Sequence, residues 1–192
     1  MIKNLRLINA TITGRNHVSG LVGGTGDAGN LDSFSLSGVY AQNSFVGGTS
    51  TVTGEDYVGG LVGSFSISYN DGTIQNSVAF NSSLTREGGT GDKFGRVVGN
   101  NGGTLSRNYG FSEMSFSSGS SDFTPNPPVS SNGTATVHGA GFSFGTAYST
   151  LFNAAHGWTS ENWIIPGGNL SENGALPTLR NIPGQAQNPR GP

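Results

Sequence analysis

Few residues of this chain could make or break bonds, and their spacing argues against most such chemistry. The three histidines, His17, His138 and His156, stand apart in sequence, whereas a zinc hydrolase sets two of them four residues apart on a helix around a glutamate. Cysteine is absent, which removes thiol nucleophiles, disulfides and thiolate metal sites together. Carboxylates remain. Asp27, Asp32, Glu55, Asp56, Asp71, Glu87 and Asp92 are available, and two acids stacked on one face of a β-helical protein can cleave a polysaccharide. Acids in glycine-rich turns more commonly hydrogen-bond the local backbone, so no catalytic set is expected.

Asp27 and Asp92 are the candidate metal ligands, because each ends a Gly-Gly-Thr-Gly-Asp string, Gly23–Asp27 and Gly88–Asp92. Calcium-binding turn repeats need one more residue before the aspartate, and tandem copies so that consecutive turns share an ion. Plain glycine turns are therefore the expectation, and calcium is the only cofactor in question. Nor is either string a phosphate loop, since no Gly-Lys-Ser/Thr follows. Four Asn-x-Ser/Thr sequons, at Asn9, Asn81, Asn132 and Asn169, reflect the composition.

That composition is low in charge: Asp, Glu, Lys and Arg make up 10% of 192 residues, with a net charge of −2, against a globular average of roughly 25% charged. A nucleic-acid binder needs a basic stripe to displace counterions, and none exists. No apolar run approaches the ~20 residues of a transmembrane helix, and no charged-then-apolar export signal opens the chain. Because Ile2-Lys-Asn-Leu already reads as strand, the expectation is a segment of a longer exported chain.

The elements that position these residues repeat. Thr11-Ile-Thr-Gly-Arg-Asn-His-Val-Ser-Gly-Leu-Val-Gly23 recurs as Thr51-Val-Thr-Gly-Glu-Asp-Tyr-Val-Gly-Gly-Leu-Val-Gly63. A looser copy, four residues longer, runs from Ser83 to Gly99 with Arg96 in place of a glycine. Ile12, Val52 and Leu84 each sit between two hydroxyl residues, the period-2 alternation of a half-buried strand. Leu21-Val22, Leu61-Val62 and Val97-Val98 complete the predicted core, with Gly20, Gly60, Gly23, Gly63 and Gly99 expected at corners. The Thr-x-Thr pairs would face outward, where a flat hydroxyl ladder could order water and bind ice; the expectation is ordinary solvated sheet.

A second set of strands links the copies: from Ile2, Leu31, Thr73 and Thr104. Residues 1–114 thus read as a repeat region. Residues 115–134, rich in Ser, Gly and Pro, read as a loop or linker. Residues 135–184 read as a C-terminal cap, with a strand over 135–144, a short helix over 149–156 closed by Gly157, and a cluster of large apolar residues including Trp158 and Trp163 that would cover the open end of the stack. Residues 185–192 read as a disordered tail.

The string Val58-Gly-Gly-Leu-Val-Gly63, followed by Gly72-Thr-Ile-Gln-Asn-Ser77, resembles the GLUG repeat, named for its Gly-Leu-aliphatic-Gly core. The likeness covers residues 1–112, and Trp163 through Leu176-Pro-Thr-Leu-Arg180 is similar to the segment that closes such arrays. It implies an all-β parallel β-solenoid from a bacterial cell-surface or secreted protein, such as an adhesin-like protein or the non-catalytic region of an immunoglobulin A protease-like protein. It implies no catalytic residues. The expected role is a stalk or adhesive module, monomeric as a fragment, that meets host glycan or extracellular protein. The alternative is a non-catalytic module of a secreted protease or polysaccharide-degrading enzyme. Recognition would fall to the aromatics Tyr40, Tyr57, Tyr69 and Tyr109.

Overall fold

The computed structural model describes residues 2–25, 40–42, 44–65, 72–88, 93–118, 121–122, 125, 133–170 and 175–180. Short strands dominate. The first repeat supplies β1 (Ile2–Lys3), β2 (Arg6–Ile8), β3 (Thr11–Thr13) and β4 (Val22–Thr25). The second supplies β5 (Tyr40–Gln42), β6 (Phe45–Gly47), β7 (Thr51–Gly54), β8 (Val58–Gly59) and β9 (Val62–Phe65). The third supplies β10 (Thr73–Gln75), β11 (Val78–Ala79), β12 (Ser83–Arg86), β13 (Phe94–Gly95) and β14 (Val98–Asn100). There follow β15 (Thr104–Ser106), β16 (Tyr109–Phe111), β17 (Ser115–Ser118), β18 (Ser121–Asp122) and β19 (Ala140–Phe142).

Within the three repeats, strands that follow one another in sequence fall into different sheets, and each sheet draws its strands from equivalent places in successive repeats. The parallel orders are β1-β5-β10-β15, β2-β6-β11-β16-β19, β3-β7-β12-β17, β4-β9-β14 and β8-β13, with β18 added antiparallel to β17. The fold is all-β with parallel sheets. Its register is that of the sequence repeat: Ile12, Val52, Leu84 and Phe116 lie side by side. The Leu-Val steps stack too, the amide of Leu21 donating to the carbonyl of Leu61, that of Leu61 to Val97, and that of Val97 to Val137.

Core positions follow this register. Val52, Leu61, Val62, Leu84, Val97 and Val98 are fully buried, whereas Ile12, Leu21 and Val22 are half-buried. The difference is positional: β3 and β4 are edge strands with a neighbour on one side only. Leu5, on the same first repeat, stays 41% exposed.

Two ladders of small polar side chains line the corners inside the stack. The amide of Leu5 donates to Ser44 Oγ, that of Ser44 to Ser77 Oγ and that of Ser77 to Asn108 Oδ1, while Asn108 Nδ2 donates to the carbonyl of Ile74 at 2.8 Å. Ala10 N–H donates to Ser50 Oγ, whose hydroxyl donates to the Gly47 carbonyl. Strands this short leave many backbone groups at corners, and buried hydroxyls and amides satisfy them where water cannot reach.

Several expectations change. The strand beside Ile2 is not the Leu31 segment, which lies outside the described residues: Ala41 pairs with Ile2 and Ile74. The chain does not leave the sheet at residue 115, since Ser115, Phe116 and Ser117 pair in register with Ser83, Leu84 and Thr85. The strand expected over 135–144 is confined to Ala140–Phe142, preceded by turns, and it extends the sheet of β16. The 149–156 helix is broken into α1 (Tyr148–Leu151) and a 3₁₀ turn (Ala154–His156), between which Asn153 caps the second by accepting from the Ala155 amide. Gly157 ends that turn in the left-handed conformation, as expected. The tail 185–192 lies outside the described residues.

The C-terminal segment packs along a flank. Val78, Ala79 and Phe80 are consecutive and fully buried, so both faces of their strand are covered. Ala79 faces inward toward Gly60. Phe80 faces an aromatic cluster with Phe111, Phe142 and Phe144, its ring 4.7 Å from that of Phe111. Trp158, from the same C-terminal segment, donates its indole N–H to the carbonyl of Asn76 at 2.9 Å. The strand pair β20 (Trp163–Ile164) and β21 (Thr178–Leu179) completes the segment.

Candidate functional site

The outward positions beside the Ile12–Val52–Leu84–Phe116 row form a regular surface. Thr11, Thr51, Ser83 and Ser115 make one rank, and Thr13, Thr53, Thr85 and Ser117 a second, each rank crossing four parallel strands. The sequence offers only two clean Thr-x-Thr copies; the register adds two more rungs. Strand spacing sets neighbours in a rank about 4.8 Å apart and the two ranks about 6.7 Å apart. All eight side chains are exposed or half-exposed, and Thr85 and Ser117 hydrogen-bond each other at 3.1 Å. A face of this kind offers alternating hydroxyl donors and acceptors on a rigid grid without charge.

Beyond this sheet the chain turns at residues in the left-handed region, His17 and Tyr57, with φ of 56° and 55°. Their rings stack at 4.8 Å between centroids. Next to them Arg15 and Glu55 pair across the repeats at 3.3 Å, with Arg15 largely solvated. Tyr57 is thus half-buried and already partnered by an aromatic ring. Tyr109 is half-buried against the core, the backbone of Tyr40 lies in β5, and Tyr69 lies outside the described residues.

The three histidines each meet different surroundings. His17 stacks on Tyr57, His156 ends the 3₁₀ turn, and His138 is fully buried, its Nδ1 accepting from the Arg96 amide at 3.4 Å. Arg96 replaces the glycine of the other copies and is itself buried, which pushes its guanidinium below the ordinary pKa. Gly110 makes room for it, since a Cβ there would meet the Arg96 side chain at 2.7 Å. Asp27, Asp32, Asp71 and Asp92 lie outside the described residues, and among the described residues no three acidic, His or Cys side chains gather in a group able to hold a metal ion. Of the sequons, Asn81 is fully buried and Asn9 accepts from the Thr49 amide at 3.0 Å.

A second feature was not legible from the sequence: a groove of about 620 Å³ in the C-terminal segment, within the range of small-ligand sites. Its accessible lining is the run Ile164–Pro166 with Ser149, Ser160 and Arg180, and behind it lie the rings of Tyr148, Phe152, Trp158 and Trp163, each no more than 3% exposed. Trp158 and Trp163 pack at 4.6 Å and Phe152 lies edge-on to Trp158 at 4.9 Å. The Tyr148 hydroxyl donates to the carbonyl of Ala175, and burial raises its pKa above the ordinary value. Arg180 lines the groove as its cation. No described helix is long and apolar enough to cross a membrane. No family model, curated protein or solved structure matches this chain.

Proposed function

We propose that the stacked repeats form one β-solenoid, built from GLUG-type units, and that it serves as a non-enzymatic stalk or adhesive module of a bacterial cell-surface or secreted protein. The observation that carries this reading is the in-register double rank of hydroxyls from Thr11 to Ser117. A solenoid grows by adding rungs, and each rung repeats the same outward chemistry, so the surface suits an extended and repetitive partner. An uncharged hydroxyl grid matches the hydroxyls of a glycan better than a charged protein surface, and its contacts persist at high salt.

Binding of the purified chain to an array of glycans and extracellular-matrix proteins, with and without calcium, tests this reading. A saturable hit, unchanged by chelator and weakened at least tenfold by Thr53→Val with Thr85→Val, is the expected result. Silence from a folded sample would remove the adhesive role. Silence together with freezing-point depression would reassign the hydroxyl ranks to ordering water on ice, the other lattice that such a grid can meet.

A further inference from the structure

We propose that residues 133–142, the rung laid over the third repeat at the C-terminal end of the stack, are an acid-released clasp that a neutral His138 holds shut. Main-chain hydrogen bonds dock this rung. The amides of Val97 and Val98 donate to the Val137 carbonyl at 2.9 and 3.1 Å, that of Asn108 donates to Thr134, and that of Ala140 donates back to Asn108. β19 adds its parallel pairing with β16. His138 lies in the middle of the rung and is 0% exposed, and its Nδ1 accepts from the Arg96 amide at 3.4 Å. One imidazole thus sits between the rung and the repeat that it covers.

That contact requires the neutral ring. A protonated imidazole carries N–H on both nitrogens, so Nδ1 would turn a donor toward the amide that now donates to it. The charge would also enter a fully buried site, where an ionised group is costly without a counter-charge. Arg96 raises that cost. It is 4% exposed and brings its own cation to the same end of the stack, where burial lowers its pKa, and a second cation beside a first is disfavoured. The other neighbours are uncharged: β17 supplies the Phe116 ring, edge-on to His138 at 6.1 Å, and β16 supplies Gly110. Of the charged residues bordering these elements, Lys93 is a further cation, Arg107 donates to Asn76 Oδ1, and Glu113 is exposed. In an opened rung the imidazole takes up its proton near pH 6.5. Closure is therefore fully stabilised above that pH and weakens as pH falls, the opening constant rising by up to about tenfold per pH unit. Opening uncovers the edges of β14 and β16 and the Val97-Val98 step.

Hydrogen exchange of the full chain at about pH 7.5 and about pH 5.5, on either side of the imidazole range, tests the clasp once each amide's intrinsic rate is divided out. The expected result is a loss of protection of about tenfold at Val97, Val98 and Ala140 in acid, while Leu21, whose amide donates to Leu61 at the far end of the stack, keeps its own. His138→Asn, which offers an acceptor oxygen that does not titrate, holds protection constant between the two pH values. His17→Asn and His156→Asn leave the loss in place. Equal protection at both pH values in the unaltered chain, an equal loss at Leu21, or a loss that persists in His138→Asn would overturn the clasp. So would a nuclear magnetic resonance titration in which the His138 ring takes up a proton near pH 6.5 with Val97 and Val98 still protected. Should His138→Asn fail to fold, that titration and the comparison of Val97 with Leu21, both made on the unaltered chain, decide the question.

Discussion

Leu61→Asp unfolds the repeat region. Leu61 is fully buried, its amide donates to Val97 and its carbonyl accepts from Leu21, so it stands in the middle of a stack with a rung on either side. Removing a buried leucine costs about 2–5 kcal/mol through lost transfer and cavity terms. The aspartate puts a carboxylate where a fully buried aliphatic side chain stood, and an uncompensated buried charge costs several kcal/mol more. The sum reaches the whole stability of an ordinary domain, about 5–15 kcal/mol. Circular dichroism should show loss of the β signal at 25 °C, whereas Leu61→Met, of similar volume, should retain it. An unchanged melting temperature for Leu61→Asp would remove Leu61 from the core.

Gly60→Ala has the second-largest expected effect, and its sign is informative. Where a backbone conformation suits alanine, exchanging glycine for it stabilises a protein by about 0.4–1 kcal/mol through the unfolded state. Gly60 does not have a positive φ, so conformation alone predicts that gain. Space predicts the opposite. A Cβ at Gly60 would be built into the carbonyl oxygen of Arg96 in the next repeat and would approach Asn81 Oδ1 to 2.8 Å. Forcing a methyl group against backbone costs about 1–3 kcal/mol, which corresponds to a melting temperature lower by about 6 °C for a chain of this size. A thermal melt of the variant decides between the two, and a rise would mean that adjacent repeats do not approach as closely as described.

These glycines also show what the sequence does and does not reveal. The strands of the Thr-x-Thr sheet are legible because one aliphatic residue between two hydroxyls is what a sheet with a core face and a solvated face selects. The corners are read less well. A glycine at Gly20, Gly60, Gly23, Gly63 or Gly99 can serve a corner by bending the chain sharply or by letting a neighbouring coil approach closely, and since none has positive φ the close approach is the one that holds. They are glycine because backbone lies where a Cβ would sit: Gly99, for example, would place one 2.6 Å from both the Gly63 carbonyl oxygen and the Tyr57 carbonyl carbon. In the repeats the left-handed positions fall to two other glycines, Gly48 and Gly88, and to the non-glycines Asn4, Asn9, His17, Tyr57, Asn76 and Arg107. Asparagine tolerates this conformation readily. Histidine shares part of that tolerance, whereas Tyr57 and Arg107 carry no such signal, and neighbours in the stack hold them: Tyr57 by the His17 ring, Arg107 by a 2.8 Å hydrogen bond to Asn76 Oδ1.

Composition misleads in a similar way at Ser115–Ser118. Four residues of Ser and Phe amid glycine and proline read as linker, but their partner strand Ser83–Arg86 supplies a ready parallel edge, and pairing with that edge overrides local propensity. The groove was illegible for another reason. Tyr148, Trp163 and Arg180 are spread over more than thirty residues with no periodic spacing, and only the β20–β21 pairing brings Trp163 beside Leu179 and so sets Arg180 at the groove.

In-register stacking of the repeats is tested most directly by distance. The chain has no cysteine, so Thr11→Cys with Ser115→Cys, and Thr51→Cys with Ser115→Cys, place spin labels on one rank without background. Their strands lie three and two steps apart in the order β3-β7-β12-β17. At about 4.8 Å per step the backbone separations are about 14 Å and 10 Å. Electron paramagnetic resonance should return two narrow distributions in that order. Broad distributions, or a Thr51 pair no closer than the Thr11 pair, would contradict a single stack of parallel repeats.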